Sequence, residues 1–270
     1  MKVAALQMNS QTELDHNLEQ ASRLLAQAAR EHVRLAVLPE NFSYLGAQDA
    51  DRVVAAEDAH EGPAQNFLRE QAKTYGMWIV GGTIPIRSED GRRVYSRSLL
   101  VAPEGRVAAQ YDKLHLFDVD VPDRPGESYR ESDTTIPGER PVIGDMEPGR
   151  IGMTVCYDLR FPALFHRLST LGMDILVVPA AFTVPTGRVH WQALLQTRAF
   201  ESLAYVIAAG QWGEHAAGRM TWGHSAIFSP WGELLGMLDS GVGIVTAEID
   251  LERQRELRSK FPVLAHRREF

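Results

Sequence analysis

Three short stretches each place a reactive side chain just past an apolar run: Leu35-Ala-Val-Leu-Pro-Glu40, Gln110-Tyr-Asp-Lys113 and Ile151-Gly-Met-Thr-Val-Cys156. In open α/β sheets, ligands gather outside the carboxyl ends of strands, so a carboxylate, an ammonium and a thiol at three such ends can belong to one site. The chemistry open to that trio is nucleophilic acyl transfer. A thiol with a pKa of about 8.5 is only slightly ionised at neutral pH. Glu40 is placed to take its proton, although in water that transfer is uphill by about 5.7 kcal/mol. Burial of the carboxylate and a nearby ammonium both narrow the gap, while the ammonium also favours ionised Glu40, so the resting place of the proton stays open. Each residue has a plainer role available. Cys156 could fill a core as a small apolar group, Glu40 could face a helix N-terminus, and Lys113 could guard a sheet edge. Their coincidence at apolar strand ends, where an unpaired charge is costly, favours the chemical reading.

The use of basic residues points the same way. Only four of the 28 are lysine, namely Lys2, Lys73, Lys113 and Lys260. A lysine kept within an arginine-rich chain offers a compact charge that a planar guanidinium cannot replace. Other catalytic patterns are missing. No Gly-Lys pair exists, His-Glu-x-x-His is absent, and a lone cysteine cannot build a thiolate zinc site, so neither a metal nor an organic cofactor is expected. Gly223-His-Ser-Ala-Ile lacks the second glycine of a serine nucleophile elbow. A Cys-His hydrolase stays open because nine histidines are present. His115, His190 and His224 nevertheless sit among apolar and aromatic residues, where a satisfied structural histidine is the commoner case.

Positioning these groups falls to alternating strands and helices. The first half reads as strand Val3–Met8, helix Asp15–His32, strand Leu35–Leu38, helix Pro63–Tyr75, then strands Met77–Ile84, Arg97–Val101 and Val107–Tyr111. The second half repeats the order: strand Ile151–Val155, helix Phe161–Leu171, strand Ile175–Val178, helix Val189–Ser202, then strands Tyr205–Ala209, Ser225–Phe228, Leu234–Leu238 and Gly243–Ile249. Ser98-Leu-Leu-Val-Ala-Pro-Glu-Gly and Ser225-Ala-Ile-Phe-Ser-Pro-Trp-Gly are matching strand-turn units. A duplicated unit of this kind predicts an α/β fold, a four-layer α-β-β-α sandwich with two facing mixed sheets. The stretch from Asp118 to Pro148, rich in Pro, Gly and acidic residues, reads as a surface excursion between halves of a single domain spanning residues 1–270.

Composition sets the outer bounds. The 270 residues are 44% hydrophobic and 23% charged, enough for a substantial core and unlike a disordered chain. A net charge of −7 argues against nucleic acid as the main partner. The N-terminus turns polar too soon for a signal peptide, no apolar run reaches membrane-spanning length, and one cysteine gives no internal disulfide. The expectation is a soluble, cytoplasmic protein.

At these residues the chain resembles the nitrilase, or carbon-nitrogen hydrolase, superfamily. The resemblance rests on Leu-Pro-Glu40-Asn-Phe, Tyr-Asp-Lys113-Leu-His-Leu-Phe-Asp and Val-Cys156-Tyr-Asp-Leu-Arg160-Phe-Pro. It continues through Thr186-Gly-Arg-Val-His190-Trp191, Gly223-His-Ser and Ser229-Pro-Trp-Gly232, in order along essentially the whole chain. It implies the same sandwich, with Glu40 as general base, Lys113 as oxyanion-stabilising cation and Cys156 as nucleophile. A second active-site glutamate is implied after the lysine loop; Glu131 matches that place best and Glu127 competes with it. Pocket positions implied near the motif ends are Tyr44, Phe117, Tyr157, Phe182 and Thr183. Arg160 is a candidate for gripping a substrate carboxylate, with an internal ion pair to Asp158 as the alternative. Within the superfamily the chain looks closest to Nit1- and Nit2-like amidases. That implies cysteine-dependent hydrolysis of a small carboxylate-bearing amide to an acid plus ammonia, with deaminated glutathione as first choice. The alternatives are an ω-amidase acting on α-ketoglutaramate or succinamate, a nitrilase or N-carbamoyl amidase, and a non-enzymatic binding subunit. A homodimer or higher homo-oligomer packed through the outer helices is also implied.

Overall fold

The computed structural model describes residues 1–48, 50–121 and 128–268. Strand Lys2–Gln7 is buried along almost its whole length, and its side chains divide between two cores. Val3 and Ala5 join a cluster with Val177, Val206 and Ile227, whereas Ala4 and Leu6 join one with Leu24, Leu25 and Leu68. Successive strand residues point to opposite faces, so one face of this first sheet meets helices Leu14–Arg30 and Pro63–Tyr75 and the other meets a second sheet. Helices Pro162–Thr170 and Val184–Ser202 close the far side, contributing Phe165, Leu168, Leu195 and Ala199 to the shared core. The layers run helix, sheet, sheet, helix, as the internal repeat predicts.

The helices form where local chemistry directs them. Leu14–Arg30 buries Ala21, Leu24, Leu25 and Ala28, a spacing of three and four that makes one stripe. Pro63–Tyr75 starts with proline in its first turn and stops at Gly76, whose φ of 60° is left-handed.

Among the described residues the first sheet has seven strands. In order they are Gly243–Glu248, Lys2–Gln7, Leu35–Val37, Trp78–Val80, Val94–Val101 and Ile84–Arg87, with Val107–Asp112 also paired to Val94–Val101. The second sheet has six: Leu234–Leu238, Ser225–Phe228, Tyr205–Gly210, Ile175–Ala180, Gly149–Met153 and Val142–Met146.

Several details depart from the sequence reading. The last strand leaves the second half and pairs antiparallel with Lys2–Gln7 over six residues, covering what would otherwise be an exposed edge. The expected strand Met77–Ile84 breaks into Trp78–Val80 and Ile84–Arg87. At the break Gly82 has a φ of 47°, and a Cβ there would lie 1.9 Å from the Pro39 carbonyl oxygen. The helix expected from Val189 begins at Val184, because Pro185 suits a first turn and Gly187 gives room to Trp222. Part of the expected excursion is also regular: Val142–Met146 forms the edge of the second sheet against Gly149–Met153, and Asp118–Asp120 pairs with Ser128–Arg130. Half-exposed edge strands lack a strong apolar alternation, which is why this stretch reads as loop. No helix among the described residues is long and apolar enough to cross a membrane.

Candidate active site

Glu40 lies three residues beyond strand Leu35–Val37, in a turn held from both sheets. The N–H of Asn41 donates to Thr83 Oγ1 at 2.8 Å, and Gln211 Nε2 donates to the Glu40 carbonyl at 3.0 Å. The same Gln211 nitrogen donates to Ser10 Oγ at 2.7 Å, so one amide ties the end of the first strand to the Glu40 turn. The cramped approach of Gly82 to Pro39 fixes this turn from its other side.

Lys113 follows strand Val107–Asp112, and its side chain is only 2% exposed. Its ammonium donates to Glu40 Oε1 and to Glu131 Oε2, both at 2.8 Å. Glu131, in the short 3-10 turn Glu131–Asp133, also accepts from Arg52 at 3.2 Å and from the Phe117 N–H at 2.8 Å. Burial works against the Lys113 charge, but Glu131 and Glu40 outweigh it and hold the ammonium above the usual lysine range. Burial likewise opposes the Glu131 charge, yet Lys113 and Arg52 hold that carboxylate well below the usual range.

Cys156 opens the 3-10 turn Cys156–Arg160 with a φ of 48°, a left-handed conformation rare for a residue with a side chain. The turn is held by Asp158, whose buried carboxylate accepts from the Val155 N–H, the Tyr111 hydroxyl and the His115 N–H at 2.9, 2.7 and 3.0 Å. Tyr111 and His115 flank Lys113 on the chain, so Asp158 joins the lysine segment to the thiol turn. The thiol interacts with the Glu40 carboxylate and with the Ala181 N–H. Burial and the Glu40 charge push its pKa well above the ordinary value, against the opposing pull of Lys113.

Glu40, Lys113, Glu131 and Cys156 converge on one cavity of about 470 Å³. Phe117, Tyr157, Arg160, Phe182 and Thr183 line it, whereas Tyr44 lines a neighbouring cavity of about 370 Å³. Glu127 lies outside the described residues. Arg160 makes no ion pair among the described residues. Asp158 is occupied as above, and the Arg160 guanidinium contacts the Tyr157 and Phe182 rings with His190 3.4 Å away. No histidine lines the cavity among the described residues. His115 bonds Asp158 and stacks on Phe161, and His224 bonds the Trp222 carbonyl and stacks on that ring. A Cys-His pair is therefore not what faces the thiol. Sequence reasoning missed Arg52, Tyr129 and Arg219, which also line the cavity. Their only local signal is charge or aromaticity in stretches without a clear periodic pattern, which is too common to single out. Among the described residues no group of His, Cys, Asp and Glu is arranged to hold a metal ion.

The family model described as carbon-nitrogen hydrolase matches residues 2–259. A deaminated glutathione amidase of Yersinia enterocolitica is 42% identical over 98% of this chain and 92% of its own. The omega-amidase NIT2 of Xenopus tropicalis is 33% identical over 93% of this chain and 89% of its own. The crystal structure of the C. elegans NitFhit protein superposes with a TM-score of 0.92 at 33% identity, covering 99% of this chain and 65% of that longer one.

Proposed function

This chain belongs to the carbon-nitrogen hydrolase family, and from that membership we propose that it hydrolyses deaminated glutathione through a thioester on Cys156. The observation that carries the reading is the buried Glu40–Lys113–Glu131 bridge lying against the chain's one thiol.

The cycle begins with the proton on sulfur. As the substrate carbonyl arrives, Cys156 Sγ attacks its carbon while the thiol proton passes to Glu40, and the carbonyl π pair moves onto oxygen. The Lys113 ammonium and the Tyr157 N–H, which lies in a first turn and has no intrahelical partner, stabilise that oxyanion, each donor contributing about 2.7–4 kcal/mol in comparable sites. Collapse breaks the C–N bond, and Glu40 returns the proton to the departing nitrogen. Water then loses a proton to Glu40 and adds to the thioester. The C–S bond breaks, the acid leaves, and sulfur regains its proton. Glu131 keeps the lysine in place throughout and balances its charge. Phe117, Tyr157, Phe182 and Thr183 contact the acyl chain, and Arg160 receives its carboxylate. The ammonia expected from the sequence is the product of a primary amide only; deaminated glutathione is a substituted amide and releases its amine, cysteinylglycine. The cycle uses side chains, one main-chain N–H and water.

An ω-amidase acting on α-ketoglutaramate or succinamate is the second reading, favoured by the 33% identical relative of that name. Mass spectrometry of acid, amine and ammonia products separates the two when deaminated glutathione, α-ketoglutaramate, succinamate, simple nitriles and N-carbamoyl amines are compared. The expected result is fastest release of cysteinylglycine, with an acyl adduct on Cys156 in quenched samples. Turnover confined to nitriles or carbamoyl compounds, or no adduct on Cys156, overturns the proposal.

The proposal extends to context: residues 1–270 act as one hydrolase domain, in the cytoplasm, as a homodimer. Exposed Val189 and Phe200 on helix Val184–Ser202, with Trp231 stacked edge-on to Phe261, offer an apolar surface for a second copy. Sedimentation at twice the monomer mass supports that assembly, and a monomer at micromolar concentration contradicts it.

A further inference from the structure

Arg219 stands at the tip of the hairpin formed by Trp212–Glu214 and Met220–Trp222. The turn is bent by left-handed Ala217 and Gly218, with φ of 56° and 74°, and closed by the His215 N–H donating to the Arg219 carbonyl at 2.8 Å. The His215 ring pins this hairpin to the N-terminal segment. Its Nδ1 lies 2.8 Å from the Ser10 carbonyl, which can only accept, so Nδ1 carries the proton and Nε2 accepts from the Thr221 hydroxyl at 2.6 Å. The arginine is thus presented from an anchored turn.

What it is presented for follows from its partners. Arg52 spends its charge on Glu131, but Arg219 makes no ion pair among the described residues, and its buried Nε has no hydrogen-bond partner. A buried N–H without an acceptor is costly, and a planar guanidinium is shaped to grip a carboxylate. The guanidinium lies 5.1 Å from the centre of the Tyr129 ring. Tyr129, Phe117 and Tyr157 then follow one another at 5.2 and 5.1 Å, and Arg160 lies 5.9 Å from Tyr157. Three rings form a wall with a guanidinium lacking an ion pair at each end. Arg160 belongs to the same short turn as Cys156, whereas Arg219 borders both the thiol cavity and the neighbouring one.

We infer that Arg219 is a specificity-determining anchor for a carboxylate on the amine side of the scissile bond, while Arg160 takes the carboxylate on the acyl side. This deepens the function proposed above and rests on it. A substrate with one carboxylate on each side of its amide fits both ends, and deaminated glutathione, a keto acid joined to cysteinylglycine, has that shape.

The test compares deaminated glutathione with its C-terminal carboxamide in the wild type, Arg219→Gln and Arg219→Lys. The ratio of kcat/KM for acid over carboxamide is expected to fall about tenfold or more in Arg219→Gln, carried by KM, with partial recovery in Arg219→Lys. A ratio that Arg219→Gln leaves alone overturns the anchor, as does an equal loss on both compounds, which marks a residue that only shapes the wall. Wild-type turnover of both compounds with an unmoved ratio sinks the anchor and spares the amidase. Wild-type inactivity on both sinks the two together.

Discussion

The floor and the rim of the cavity treat positive charge in opposite ways. At the floor, Lys113 is 2% exposed and held by two carboxylates at equal distance, with Arg52 balancing the second. At the rim, Arg160 and Arg219 make no ion pairs among the described residues and rest against rings, where a cation gains attraction without losing its hydrogen-bond donors. On the function and the anchor proposed above, the contrast is a division of labour. A cation that must hold one place through a reaction is neutralised by the protein, and a cation meant for a ligand is left for the ligand to neutralise.

The sharpest way to break this comparison is to remove the floor cation. Lys113→Met leaves Glu40 and Glu131 as buried carboxylates without their shared partner. The expected loss is about 10²–10³ in kcat for an oxyanion donor and about 3–5 kcal/mol in stability. Stopped-assay kinetics and calorimetry measure both, and an unchanged kcat in a folded variant removes Lys113 from the chemistry.

Glu131→Gln keeps the shape and takes away the charge, so a smaller kcat loss of about tenfold is expected. It also changes the acid response. The folded carboxylate titrates at about 2, below its ordinary value of 4.5, so its stabilising contribution is present above about 4.5 and lost as pH falls through about 2. Urea melts at stepped pH should show that decline in the native protein and a flatter curve in Glu131→Gln.

At the rim, Arg160→Gln is expected to raise KM for a carboxylate-bearing amide about tenfold, with stability within about 0.5 kcal/mol, because no internal ion pair is broken. A melting-temperature loss as large as that of Lys113→Met would erase the distinction between floor and rim.

The smallest expected effect is a difference in timing. Burial lowers the His215 pKa from 6.5 to about 4, so neutral His215 supports the hairpin above about 6.5 and that support is lost as pH falls towards 4. Hydrogen exchange of Trp212–Glu214 and Met220–Trp222 should therefore loosen a few-fold before the floor responds. Simultaneous loosening of both regions contradicts the order.

Much of this was legible in the chain. Apolar runs ending at Glu40, Lys113 and Cys156 marked strand ends, and strand ends of one sheet system face one cleft, so the trio could be assembled without coordinates. Glu131 was different. Nothing in its neighbours marks it, and it was nameable only through resemblance. Gln211, Asp158 and Arg219 were not legible as site-builders, since each acts on partners remote in sequence. Gln211 reaches back 171 residues to Glu40, and Asp158 reaches back 47 residues to Tyr111.

By itself the sequence determined which residues carry reactive atoms and most of the strands and helices of the two main sheets' layers, because side-chain chemistry and periodicity are local properties. Tertiary structure alone decided in which direction burial and charge shift the thiol, which cations are paired, and that the last strand crosses to the first sheet. Those outcomes depend on burial and on charges a few ångströms apart in space, and chain separation says nothing about either.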